Sequence, residues 1–207
     1  MVTKQNAKLF VIAAPSGAGK TTIVKALVAR SPDLRFSISY TTRQKRRTEV
    51  DGVDYLFVDV ERFEQLREEG ELLEFAEVFD NYYATSRSQV EKHLADGQDV
   101  ILEIDWQGAQ QVRKSMPECV TIFILPPSLE ELQRRLRDRR TDSPEVIERR
   151  LRDALSDMAH WDEFDHVIIN DKLEQAVTDL EDVLQGSGGA SATASVALRR
   201  AVSRIIG

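Results

Sequence analysis

The chain has 207 residues, 42% of them hydrophobic and 30% charged, with a net charge of −7, enough to bury one full core with room for a small appended lobe. The acidic balance argues against general nucleic-acid affinity, no apolar run approaches the length that spans a bilayer, and the opening MVTKQNAKLF carries no signal-peptide pattern. The lone Cys119 excludes an internal disulfide and fits a reducing cytoplasm, while His93, His160 and His166 are too scattered for a zinc site.

The first predicted element is a buried strand over 9–13, apolar throughout. It runs into AAPSGAGKTT, a near match to the phosphate-loop pattern G-x-x-x-x-G-K-[ST] with Ala14 at the first glycine. Ala14, Pro15, Ser16, Gly17, Ala18, Gly19, Lys20, Thr21 and Thr22 are the candidate nucleotide cradle. Backbone N–H groups and a helix N-terminus suit phosphate oxygens there. Lys20 is placed to reach the β- and γ-phosphates and Thr21 to offer its hydroxyl to Mg2+. Ile23, Val24, Leu27 and Val28 then recur at helical spacing.

Residues 36–83 break this rhythm with short alternating pieces, a hairpin-type signal at Asp51-Gly52 and one helix ending on Gly70. They read as a small, partly antiparallel inserted lobe. Arg43, Lys45, Arg46 and Arg47 concentrate positive charge there. The cluster is a solvated basic turn, a localisation-like patch or a second phosphate site, with Tyr55, Tyr82 and Tyr83 as further donors.

A second buried strand over 100–104 carries Glu103 and Asp105 to its carboxyl end, where ligands sit in open α/β sheets. Alternation puts both acids on one face, as a solvated strand end or as partners of a cation. Strands over 120–125 and 167–169 follow, separated by an Arg-rich helical region over 129–161. A helix runs through Leu173, Val177, Leu180 and Leu184. Strand–helix alternation argues for a mostly parallel sheet covered on both faces. From Gln185 the composition becomes that of a flexible linker, then the short basic piece VALRRAVSRIIG. That tail reads as a frayed end or as a docking helix for another subunit or an acidic surface.

Four motifs in order carry a resemblance: S-x-S-x-T-T-R-x-x-R from Ser37 to Arg46, G-x-D-Y-x-F from Gly52 to Phe57, the Glu74 to Tyr83 run ending in N-Y-Y, and I-L-E-I-D-W-Q-G. With the phosphate loop, they resemble the guanylate kinase family in its bacterial form, over about residues 9–184. The resemblance implies an α/β P-loop kinase fold: a mostly parallel sheet with helices on both faces, an inserted small mixed α/β GMP-binding lobe and a helical lid. It implies a domain over 1–185, with core 1–35, 86–128 and 162–185, lobe 36–85 and lid 129–161, before a tail over 186–207.

The implied activity is direct in-line transfer of the γ-phosphoryl of ATP to GMP, with Mg2+, in purine nucleotide metabolism and GMP recycling. The implied partners are ATP and GMP, without nucleic acid or membrane, and a homo-oligomer is left open. Carried over by position, the GMP phosphate meets Arg43, Arg46, Tyr55 and Tyr83. The guanine meets Ser39, Glu74 and Thr85, with Glu103 and Asp105 also on the GMP side or holding Mg2+ through water. Arg135, Arg139 and Arg150 face the transferring phosphoryl beside Lys20, and Asn170 lies near the adenine. Arg134, Arg137, Arg149 and Arg152 read as a solvated face.

Ala14, Ala84, Arg140 and Lys172 depart from common family residues, and Arg140 is expected to restrict the lid hinge. The alternatives are a non-catalytic phosphopeptide-binding module and a P-loop kinase of a phosphorylated sugar. Intact Lys20-Thr21 argues against the first, and Glu74 with Ser39 against the second.

Overall fold

A run that is apolar at every position has no face for solvent, and residues 9–13 form β1 (Leu9–Ala13) with all five side chains buried. The computed structural model describes residues 7–78, 80–138 and 144–207. A five-stranded sheet runs in the order β2 (Arg35–Phe36), β7 (Val100–Glu103), β1, β8 (Val120–Leu125), β9 (His166–Ile169). β2 lies parallel to β7, with Phe36 opposite Ile101, and β8 lies parallel to β9. This is the mostly parallel α/β sheet that the strand–helix alternation predicts. A second, mixed sheet runs β4 (Leu56–Phe57), β3 (Tyr40–Thr41), β6 (Asn81–Ser86), β5 (Leu72–Val78). Among the described residues, no helix is long and apolar enough to cross a membrane.

The chain divides into two units. One consists of the described residues of Met1–Val11 with Pro32–Leu102 and Gln107–Cys119. Its mixed sheet packs Leu72 and Ala84 against Phe63 and Leu66 of α2 (Val60–Glu68), and Tyr82 stacks on Phe63 with ring centroids 5.2 Å apart. Burying a side chain such as Phe63 contributes roughly 1.5–3 kcal/mol. Asp59 caps α2 by accepting from the Arg62 N–H, and Gly70, at φ 71, ends it in the left-handed conformation the sequence predicts. Ser86 caps α3 (Arg87–Ala95) in the same way.

Two expectations change in this unit. Asp51-Gly52 makes no hairpin, because β3 and β4 run parallel, with Tyr40 opposite Leu56. A two-residue turn joins only antiparallel strands, so 42–55 is a loop, closed by Gly52 N–H on the Tyr55 carbonyl (2.8 Å) and by Asp51 accepting from Phe57 N–H. The hairpin is β5–β6, where Asp80 takes φ 61, a conformation that Asp tolerates better than most residues. Phe36, the first residue of the expected lobe, belongs to the five-stranded sheet through β2.

The other unit consists of Ile12–Ser31, Glu103–Trp106 and Val120–Gly207. It contains α1 (Lys20–Arg30), α5 (Leu129–Arg137), α6 (Pro144–Met158) and α7 (Leu173–Leu184). The expected flexible linker is here a fold element. Residues Gly188–Ser191 form a 3₁₀ turn, Ala192 bridges His166, and Thr193 N–H donates to the Asp165 carbonyl at 2.9 Å. Ser195 then caps α8 (Val196–Ile206), whose Val202 and Ile205 are buried by the chain itself. Small residues, which read as flexible, also permit close approach: a Cβ on Gly188 would lie 2.5 Å from Val183 Cγ2. Between the strands and helices, α4 (Trp106–Ser115) starts one residue after Asp105.

Candidate active site

In the second unit, β1 passes into the phosphate loop and then α1. Gly17 and Gly19 adopt φ 93 and 94, which a side chain would strain. Ala14 does not, since among the described residues Asp80 alone is a non-glycine with positive φ. The first loop position therefore needs no glycine. Gly19 is the N-cap of α1, and the first turn of that helix holds no acidic residue, so its positive end stays receptive to an anion. Lys20 opens the helix, and its Nζ donates to the Ile104 carbonyl at 2.5 Å. The Thr21 hydroxyl donates to Glu103 Oε1. β7 stops at Glu103, so Asp105 lies beyond the strand and the two acids do not share a strand face as alternation predicts.

Two remote side chains fasten the loop. Asn170, 7% exposed, donates from Nδ2 to the Ala18 carbonyl at 2.7 Å, and its own N–H meets the Leu125 carbonyl. A Cβ on Gly19 would fall 2.4 Å from Asn170 Nδ2. Arg135 donates to the carbonyls of Ala18 (3.2 Å) and Asn170 (2.9 Å) and is aimed by Glu131, at 2.7 Å from its Nε. The guanidinium groups of Arg134 and Arg135 hold the Glu131 carboxyl down to about 2. Leu132 and Leu136 of α5 lie beneath Gly17, where a Cβ would come within 2.9 Å of Leu132 Cδ1. Arg150 is half-buried on α6. Arg139 and Arg140 lie outside the described residues. Arg134 pairs with Glu131 and Asp138, and Arg149 lies 3.9 Å from Asp153, both on solvated faces as expected.

In the first unit, the basic loop contains a partner that the sequence reading missed. Glu49 grips Arg43 with both oxygens, at 2.7 and 3.1 Å, and accepts the Arg46 N–H at 2.8 Å. This fork raises the Arg43 pKa and holds the Glu49 carboxyl below its ordinary range. The Arg43 guanidinium lies 5.3 Å from the Tyr55 ring centroid and is hydrogen-bonded to Tyr83. The Tyr55 and Tyr83 rings meet edge-on at 6.0 Å. The Arg46 side chain is 72% exposed, with its Nη1 3.8 Å from Glu49. The only signal in the sequence is an acid six residues after Arg43 within a basic run.

Glu74 and Thr85 face each other across β5 and β6, beside a bulge between Leu72 and Glu74. Glu74 is 3% exposed and accepts from the Thr85 hydroxyl at 2.7 Å. Ser39 is half-buried, its carbonyl taking the Leu56 N–H. Ala84, a departure from the family's common glycine, is fully buried in the core of this unit.

A parallel α/β sheet, a strand-to-helix loop with two left-handed glycines, and a Lys-Thr pair opening the helix define a P-loop nucleotide-binding protein. The family model described as guanylate kinase matches residues 6–187. The chain is 57% identical over 179 residues to a guanylate kinase of Aromatoleum aromaticum, covering 86% of this chain and 88% of the relative. It is 55% identical to one of Hydrogenovibrio crunogenus, covering 84% and 85%. The crystal structure of guanylate kinase from Anaplasma phagocytophilum superposes with a TM-score of 0.73 at 33% identity, covering 96% of this chain and 94% of that one. The chain belongs to the guanylate kinase family.

Proposed function

We propose that this chain transfers the γ-phosphoryl of ATP directly to GMP, giving ADP and GDP, with the two residue sets described above as its donor and acceptor sites. The buried Glu74 carries the choice of acceptor. A carboxylate only accepts, and guanine presents two N–H donors on its Watson–Crick edge. Adenine presents an acceptor at N1 and leaves a buried charge unpaired. Ser39 and Thr85 complete the base site, with Thr85 fixing one Glu74 oxygen. Arg43, Arg46, Tyr55 and Tyr83 hold the acceptor phosphate, with Glu49 aiming the Arg43 fork.

On the donor side, the Gly17–Gly19 turn and the start of α1 cradle the ATP phosphates, and Lys20 neutralises them. Asn170, on the loop's adenine-side support, and Arg135 hold the loop in shape. Arg135, Arg139 and Arg150 are assigned to the charge that builds on the transferring group. The acceptor phosphate is anionic at neutral pH and attacks the γ-phosphorus without a general base, with ADP as the leaving group and no covalent enzyme intermediate. The Thr21 hydroxyl, already against Glu103, offers an oxygen set that suits Mg2+, with Glu103 or Asp105 joining through water. Bound there, the ion would supply positive charge to the ATP phosphates. Functionally, 1–35, 86–128 and 162–185 act as core, 36–85 as the GMP lobe and 129–161 as the lid. The buried Cys119, outside any disulfide, suits a reducing cytoplasm.

The test is ADP release with GMP, AMP, CMP, UMP and a ribose bisphosphate as acceptors. Turnover is expected with GMP far above the others; no turnover with GMP, or equal turnover with AMP, refutes the assignment.

A further inference from the structure

Trp106 follows Asp105 directly and is the first residue of α4. Its indole reaches the C-terminal turn of α6. The Nε1–H donates to Asp157 Oδ1 at 3.0 Å, and the ring lies on His160 with centroids 3.5 Å apart and planes 11° apart. His160 is held in turn by Glu163, with 2.5 Å between Nδ1 and Oε1. Ala154 and Met158 on α6, and Trp161 and Phe164 just after it, are buried. The end of α6 is therefore packed on several sides and tied to Trp106 through Asp157.

That contact is expensive to leave unmade. An indole N–H only donates and a carboxylate only accepts, so losing either group leaves the other part-buried without this partner. Burial raises the Asp157 pKa and the Trp106 bond opposes that rise, so the bond favours the charged form. Arg150 and Asp157 are both on α6, seven residues apart; about two turns of helix bring them to one face. Asp105 and Trp106 are neighbours in the chain. A single stiff path thus runs from Asp105 through Trp106 and Asp157 along α6 to Arg150.

We infer that Trp106 is a positioning residue that sets α6, and with it Arg150, in register with the acid-bearing end of β7. The inference rests on the donor-site role proposed for Arg150. A small misplacement of a charged group at a transferring phosphoryl lowers the rate of the chemical step more than it lowers binding.

The test measures kcat, both KM values and Tm for W106F, D157A, D157N and the double variant W106F/D157A. W106F keeps an aromatic ring against His160 and loses the N–H together with part of the stacked surface. W106F and D157A each lower kcat about tenfold with KM for ATP and GMP little changed. D157N, which keeps an acceptor for the indole, restores most of kcat. The double variant is no slower than either single one, because both break the same bond. Unchanged kcat in W106F, or losses that multiply in the double variant, overturns the inference. Should W106F not fold, the contrast of D157A with D157N decides: equal loss in both refutes the bond's role. R150Q separates this from the reading it rests on. Full kcat in R150Q sinks the donor role of Arg150, whereas loss in R150Q with full kcat in W106F sinks the positioning role alone.

Discussion

Replacing Glu74 with Gln tests the acceptor assignment most directly. Glu74 is 3% exposed, and its Oε1 is already taken by the Thr85 hydroxyl. Gln keeps that oxygen as an acceptor, so the cross-strand bond survives and folding stability should change little. What changes is the other position, where an NH2 replaces an oxygen and points a donor at the donors of guanine. A hydrogen bond to a charged group contributes about 1.5–3 kcal/mol, and an unmet buried donor costs about 1–3 kcal/mol. Together these amount to about 2.5–6 kcal/mol, or about a hundredfold or more in kcat/KM for GMP. The amide offers both a donor and an acceptor, which suits adenine better than the carboxylate does, so relative turnover with AMP rises. The assay is ADP release at saturating ATP with varied GMP or AMP, then at saturating GMP with varied ATP. A GMP efficiency within threefold of the parent would refute the reasoning. A matching tenfold rise in KM for ATP would show that donor and acceptor sites are not divided as proposed.

Three further outcomes are expected. Lys20→Ala lowers turnover by about a hundredfold or more while the melting curve keeps its shape, because the fold loses one part-buried hydrogen bond there; retained turnover removes the loop lysine from catalysis. Glu49→Gln weakens the Arg43 fork and raises KM for GMP. The folded Glu49 pKa lies below its ordinary 4.5, so its stabilisation is complete above that value and is lost as pH falls through the depressed one. The Tm gap between parent and E49Q is therefore constant from neutral pH down to about 5 and closes in more acid buffer; a gap that widens with acid contradicts the ion pair. Removing the chain after Gln185 strips away α8 with its buried Val202 and Ile205. At about 1.5–3 kcal/mol each, the loss lowers Tm by about 10 °C for a chain of this size. An unchanged Tm, or a change of assembly state on gel filtration in place of destabilisation, would show the tail serving another subunit.

Most of the main sheet was legible in the chain. β1 and β8 occupy the residues that their unbroken apolar runs mark out, and β7 and β9 differ from expectation by one residue at an end. The left-handed turns at Gly17 and Gly19 were equally legible, because only glycine takes that backbone cheaply. The short helices α3 and α4 are not marked by an apolar period: α3 buries Val90, and the buried face of α4 is Gly108, Ala109 and Val112, two of them small.

What the sequence alone determined is local. It set the strand–loop–helix of the phosphate cradle and the run of residues that carries the family pattern. The tertiary structure decided which distant groups meet. It placed Asn170 and Arg135 on the same Ala18 carbonyl, 152 and 117 residues away along the chain. It turned β4 parallel to β3, closed Glu49 onto Arg43, and packed a glycine-rich tail that composition marks as loose. Periodicity records which face of an element is buried, not what buries it. Partners separated by a hundred residues are chosen only when the sheet brings their loops to one end, and no local pattern encodes that meeting.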